Sequence, residues 1–402
     1  TGAFYLFNSG ISRFKRHVGQ LSLVLGLGIG VATQAAAQSS VMPPPPEIGA
    51  KGYMLLDLTT GQTLAEFNSR ERLDPASLTK LMTAYMAFAA LESKQIRMDQ
   101  QVPVSPYAWK AEGSRMFIEP NKPVTVEELL YGVIVQSGND ASRAIAELLA
   151  GDENNFATLM NQQAKRLGLT DTNFKNSTGL PDPQHYTTAR DLGILAKRII
   201  TDFPEYYKKM YSTKEYTYNG IRQPNRNRLL WIDPSVDGMK TGHTESAGYC
   251  LVSSANRTLP NGVDRRLLSV VLGTTSDQAR TQESLKLMNY GYQMFETVKL
   301  YSAKQAISTS EVYKGQAKEV KLGVNKDLLI NVPRGMAKQL KATVEKKGTL
   351  IAPIPAGTEL GKLKLTLNGE TIGTVPLLAL STVEEAGLFG RMVDSAKLWF
   401  EE

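Results

Sequence analysis

The sequence predicts an α+β chain: a sheet with helices on both faces, then a small all-β unit, then a terminal amphipathic helix. Three observations carry this. The element order is hairpin, block of helices, two strands and a closing helix, so one sheet must be assembled from distant segments. The segment Ser77 to Leu91 is rich in helix formers and apolar nearly all round, which places it inside a domain. After residue 298 the pattern becomes short alternating runs broken by Gly and Pro.

Order is expected from Ile48, after a stiff polyproline-like leader over 38–47 that contains Pro43-Pro44-Pro45-Pro46. Gly52 to Leu58 and Thr63 to Phe67 read as strands joined by the turn Thr59-Thr60-Gly61-Gln62. Helices are expected at Ser77 to Leu91, Val126 to Val135, Ala141 to Ala150 and Asn155 to Leu167, the last two ending at Gly151 and Gly168. Strand-like runs Gly248 to Ala255 and Arg266 to Thr274 flank a loop with Pro260, Asn261 and Gly262, and a helix from Asp277 to about Thr297 closes the unit. The β unit follows, with runs at Glu319 to Val324, Leu328 to Val332, Lys341 to Glu345 and Lys362 to Leu367. In the last 21 residues Phe389, Met392, Val393, Ala396, Trp399 and Phe400 fall on one helical face, with Arg391, Asp394 and Lys397 opposite.

A charge of +7 invites a nucleic-acid reading, but its distribution argues against one. Arg13, Lys15 and Arg16 precede the apolar run Leu21 to Val31 and the small residues Ala35-Ala36-Ala37, the pattern of a cleavable secretory signal over 1–37. That run, about 11 residues, is short of the roughly 20 that span a bilayer. Thr1 rather than Met opens the sequence, so the true start is expected upstream. Without 1–37 the balance is 43 basic to 39 acidic residues, and much of that excess belongs to the β unit, where 301–380 hold 12 basic and 6 acidic residues. An exported chain of that balance is not a nucleic-acid binder. The one cysteine, Cys250, cannot form an internal disulfide and reads as a buried core residue. With His17, His185 and His243 it makes no conventional zinc site, and so few histidines point any catalytic base toward another residue type.

Three short motifs could carry chemistry. Ser77-Leu78-Thr79-Lys80 puts a hydroxyl and an amine on one face of a helix start, and a lysine buried in an apolar helix loses hydration, which lowers its pKa. Ser137-Gly138-Asn139 joins two helices, where Asn139 or Asp140 could simply cap the second. Lys240-Thr241-Gly242 leads into a strand, where Gly permits close approach of a substrate backbone and Lys and Thr suit an anionic group. Each is common alone; their order and spacing, 60 and 103 residues apart, make the set specific.

With these motifs the chain resembles the low-molecular-mass penicillin-binding proteins that act as D-alanyl-D-alanine carboxypeptidases, the penicillin-binding protein 5/6 group. The matching stretches are Asp74 to Lys80, Ser137 to Asp140 and Val236 to Thr244, with Thr187 to Asp191 and Asn225-Arg226-Asn227 in addition. The resemblance implies a β-lactamase/transpeptidase-like catalytic domain over 48–297, an antiparallel sheet flanked by helices, then an all-β domain over 298–381 and a membrane-anchor helix over 382–402. It implies that Ser77 attacks the penultimate D-alanine carbonyl of a peptidoglycan pentapeptide, with Lys80 as base and Ser137 relaying a proton to the leaving amine. Asn139 would hold substrate amide and Lys80, and the N–H groups of Ser77 and His243 would form the oxyanion hole. Lys240, Thr241 and Arg280 would receive the substrate's terminal carboxylate, with Arg226 nearby, and Gly242 would let the substrate backbone come close. It implies no metal or cofactor, covalent inhibition by β-lactams, and a location at the periplasmic face of the bacterial inner membrane.

His243 as the base is the lesser alternative, since no paired acidic partner accompanies it. A D,D-endopeptidase or transpeptidase would share the motifs; a β-lactamase would add a deacylating Glu, and 176–191 contain none. A non-catalytic envelope-binding module would lose a motif residue, and none is lost. The terminal segment departs from a basic anchor, with two basic and five acidic residues over 382–402.

Overall fold

The computed structural model describes residues 41–401. The expected signal segment 1–37 and the first residues of the leader lie outside the described residues, as does the side chain of Phe400. Gly52–Asp57 and Thr63–Phe67 form the expected hairpin. It belongs to a five-stranded antiparallel sheet in the order Thr63–Phe67, Gly52–Asp57, Asp264–Thr274, Gly248–Thr258, Val236–Thr244. The strand period of two sends alternate residues into separate cores. From Gly248–Thr258, Cys250 and Val252 pack with Leu81, Phe88 and Leu192 of the helical block. Leu251 and Ala255 pack with Leu287 and Met288 of the closing helix, Asp277–Met294, on the other face.

The helical block holds Val126–Ile134, Asn139–Ala150, Glu153–Leu167 and Ala189–Asp202, packed around the buried helix Lys80–Glu92. Two boundaries differ instructively from the sequence reading. Ser77 lies in a 3-10 turn, Ala76–Thr79, that runs on into the buried helix, because Ala76 takes a left-handed φ of +48° and tightens the entry. The closing helix stops at Met294, because Phe295 is extended, buried against Tyr290, and begins a strand, Phe295–Tyr301, paired with Leu328–Pro333.

The β unit builds a six-stranded sheet around its own core, which includes Val320, Leu322, Leu363, Leu365 and Leu377. Its joint with the larger domain is polar and buried. Arg265 and Asp57, both fully buried, pair at 2.7 Å, and Asn331 of the β unit donates through Nδ2 to the same carboxylate at 2.7 Å. Asn331 also receives Thr297 Oγ1 on its carbonyl and donates its backbone N–H to Gln62 Oε1. A buried charge left without its partner is costly, about 3–5 kcal/mol. Asp57→Ala is therefore expected to lower unfolding free energy by about that amount, read by denaturant titration. A loss below about 1 kcal/mol would show that the pair is not the joint's anchor.

Candidate active site

The turn that carries Ser77 is held from both ends. Asp74 accepts the Ala76 N–H through Oδ1 at 2.8 Å, and its other oxygen accepts from Thr244 Oγ1 at 2.7 Å. Asp74 thus ties the turn to the edge strand Val236–Thr244 rather than capping a helix. The strand lies close: a Cβ on Gly242 would meet Pro75 O at 3.1 Å and Leu78 N at 3.2 Å. Lys240, Thr241 and Gly242 are therefore inside a strand, not in a turn leading to one. Ser137, with a left-handed φ of +56°, sits just before the helix Asn139–Ala150 and lines the same pocket as Ser77.

Lys80 is the hub. Its Nζ lies 3.0 Å from Ser77 Oγ, 2.7 Å from Asn139 Oδ1 and 2.7 Å from the carbonyl of Thr178. The residue is 1% exposed, and burial brings its pKa down to about 7, with the positive charge of Arg226 adding to the fall and Asp140 and Glu153 opposing it. A neutral amine has two hydrogens and one lone pair. The Asn139 and Thr178 oxygens can only accept, so they take both hydrogens, and the lone pair is left facing the Ser77 hydroxyl.

Lys240 is buried opposite, donating to Ser137 Oγ at 3.0 Å and to Thr241 O at 2.8 Å. Burial and then the charge of Lys80 push its pKa well below the usual lysine range. Ser77, Ser137, Arg226, Thr241, Gly242, His243 and Arg280 line one cavity of about 510 Å³. Arg280 is buried, donates to Gly242 O at 3.2 Å and pairs with Asp277, so it props the strand, while Arg226 is exposed at the cavity wall. The His243 ring is exposed and stacks on Tyr249 with centroids 3.9 Å apart; the side-chain contact to Ser77 comes from Lys80. Among the described residues no three His, Cys, Asp or Glu side chains gather as a metal site.

Neither Asn139 nor Asp140 caps its helix. Asn139 serves Lys80 with Oδ1, and its Nδ2 donates to Glu112 O at 2.6 Å instead of facing the cavity for a substrate amide. Asp140 accepts the N–H groups of Met116, Phe117 and Ile118, holding the loop that presents Ser114 to the cavity. Sequence reasoning missed Thr178 and Ser114. Asn176 to Gly179 is readable as a turn, but a backbone carbonyl's target leaves no mark on residue type.

Comparison with known proteins adds to this geometry. The D-alanyl-D-alanine carboxypeptidase family profile matches residues 37–276, and that of the penicillin-binding protein 5 C-terminal domain matches 295–385. The chain is 42% identical over 396 residues to the D-alanyl-D-alanine carboxypeptidase DacC of Escherichia coli strain K12, covering 95% of this chain and 97% of that one. Penicillin-binding protein 5 of Haemophilus influenzae superposes with a TM-score of 0.80 at 42% identity, over 85% of this chain and all of that one. Penicillin-binding protein D2 of Listeria monocytogenes, solved in an ampicillin-bound form, superposes with a TM-score of 0.56 at 27% identity, over 62% of this chain and all of that one.

One glycine tests the geometry. Gly179 has φ +88°, and a Cβ there would lie 1.8 Å from Ala76 O, inside the nucleophile turn. Gly179→Ala is expected to slow acylation of Ser77 by a serine-directed probe at least about tenfold with far-UV circular dichroism unchanged. Unaltered acylation would mean that the 176–179 turn does not set the nucleophile.

Proposed function

The chain belongs to the D-alanyl-D-alanine carboxypeptidase family, a serine-type hydrolase family, and from that premise we propose that Ser77 and Lys80 carry the reaction on peptidoglycan stems ending in D-Ala-D-Ala. The observation that supports this most is the contact of a fully buried Lys80, with its pKa near 7, to the Ser77 hydroxyl.

In this reading Lys80 takes the Ser77 proton as Oγ attacks the penultimate D-alanine carbonyl. The oxyanion forms against the N–H groups of Ser77 and His243, each such donor being worth roughly 3–4 kcal/mol where measured elsewhere. The terminal carboxylate is received toward Arg226 and Thr241 of the cavity wall, with the buried Lys240 amine behind Ser137. The C–N bond then breaks, Ser137 passes a proton from the lysine pair to the leaving nitrogen, and D-alanine departs. Water hydrolyses the ester and restores Ser77. A β-lactam enters by the same attack, but its leaving nitrogen stays tethered to the acyl group and obstructs that water. D-alanine release from a pentapeptide and labelling by penicillin are expected to rise together as pH passes about 7, where Lys80 becomes neutral. Both vanish in Ser77→Ala; an adduct that survives this change, or rapid penicillin turnover, would overturn the assignment.

We also infer peripheral membrane attachment of an exported protein. Among the described residues no helix is long and apolar enough to cross a membrane. The terminal helix, Leu388–Glu401, is turned the wrong way for a soluble protein. Leu388, Phe389, Met392 and Trp399 are each over 70% exposed, while Asp394 is 3% exposed and accepts from Lys314 N and Lys318 Nζ of the β unit. An apolar face turned outward in this way fits an interfacial helix driven by apolar burial. Deleting 382–402 is expected to reduce sedimentation with lipid vesicles at least about tenfold while leaving carboxypeptidase activity in solution intact. Unchanged sedimentation would sink this reading.

A further inference from the structure

A carboxylate behind the cavity has no part in the reaction as described, yet it holds the segment that orients Lys80. Glu153 opens the helix Glu153–Leu167 and is 7% exposed. Its Oε1 accepts both the backbone N–H of Ser177 at 2.9 Å and the Ser177 hydroxyl at 2.7 Å. Its Oε2 accepts from Tyr107 Oη, with Arg143 Nε at 3.5 Å on the same oxygen. Arg143 is itself fixed, stacked 4.2 Å from the Tyr107 ring centroid and donating to Tyr107 O. Of the other titratable groups near it, Glu147 is taken up by Ser105 Oγ, and the buried His185 feels the Glu153 charge from between Lys175 N and Thr79 Oγ1.

Ser177 is fully buried, and the next residue, Thr178, supplies the carbonyl that receives Lys80 Nζ. The Ser177 carbonyl receives Thr83 Oγ1 from the buried helix, one turn beyond Lys80, at 2.7 Å. The segment is therefore stapled on one side to the lysine's own helix and on the other to Glu153. We propose that Glu153 is a positioning residue: by fixing Ser177 it aims the Thr178 carbonyl at Lys80, which leaves the amine's lone pair on Ser77. The proposal rests on Lys80 being the base. The charge of Glu153 acts with a definite sign, since it favours the protonated lysine and its removal favours the neutral one.

The test is the second-order rate of labelling by a fluorescent penicillin from pH 5 to 9 in the full chain, for Glu153→Gln, Glu153→Ala, Ser177→Ala and Lys80→Ala. Gln keeps an acceptor for Ser177 and loses the charge. Its plateau rate is expected within about threefold of the parent, with the acid limb moved down by about half a unit. Ala loses both, so its limb moves the same way and its plateau falls about tenfold or more. Ser177→Ala removes only the hydroxyl contact, so its plateau falls while its limb stays in place, which keeps the proposal testable if Glu153→Ala does not fold. Limbs that stay in place in both Glu153 variants, or equal plateau losses in the two with only lowered thermal stability, would assign Glu153 to general fold support and overturn the proposal. Labelling that persists in Lys80→Ala would instead remove the base assignment beneath it.

Discussion

Lys80 Nζ is the point at which three chain segments meet, and much of the larger domain can be understood as what brings them together. Ser77 comes from the preceding turn, Asn139 from the start of a second helix and Thr178 from a loop beyond a third. An amine of depressed pKa requires removal from water, and water is excluded only because the helix carrying Lys80 is apolar on every side and wrapped by other helices. A domain built this way cannot bury only one helix face. The uniform apolarity of the buried helix, unusual for a globular protein, is thus a condition of the chemistry as well as of packing.

The same demand explains the arrangement of the sheet. Both faces are buried, so a substrate reaches the sheet at an edge, and the edge strand beside Ser77 is Val236–Thr244. That strand must lie near the nucleophile turn without closing on it. Asp74 fixes the separation by hydrogen bonding at the turn and at Thr244, and Arg280 supports Gly242 from the opposite side. The joint with the β unit uses a different device. Asp57, Arg265 and Asn331 form a directional polar contact, which specifies orientation more narrowly than an apolar patch of equal size.

Periodicity and punctuation made the hairpin, the buried helix, the strands after Gly248 and the β unit legible in the sequence. The edge strand carrying Lys240 was not, because Gly238, Gly242 and the polar Lys240 and Thr241 depart from an alternating apolar pattern for reasons of function. The motif serines and lysines were readable because side-chain identity is the signal. Thr178 was not, since every residue supplies a similar carbonyl, and Asp140 was read as a possible helix cap because capping is what aspartate most often does before a helix. Glu153 fell outside the stretch searched for an acidic residue, and only packing places it behind Ser177.

The scarcity of histidine takes on a structural meaning. His185 is 3% exposed with its pKa pressed down to about 4 by burial, and its Nδ1 accepts from the Lys175 N–H. Its remaining hydrogen is therefore on Nε2, directed at Thr79 Oγ1 at 2.7 Å, between Ser77 and Lys80 in sequence. A neutral imidazole locked in one tautomer is a rigid strut, not a proton carrier. His243 lines the cavity with its ring stacked on Tyr249. With both described histidines committed in this way, the proposed reading leaves proton transfer to amines. An amine whose ordinary pKa lies far above neutrality can act as a base only where its surroundings oppose its charge. Desolvation does most of that at Lys80, and the cation Arg226 adds to it. Asp140 and Glu153 pull the other way and keep the amine titrating near neutrality. The balance of these charges, more than the presence of any single one, makes the lysine usable.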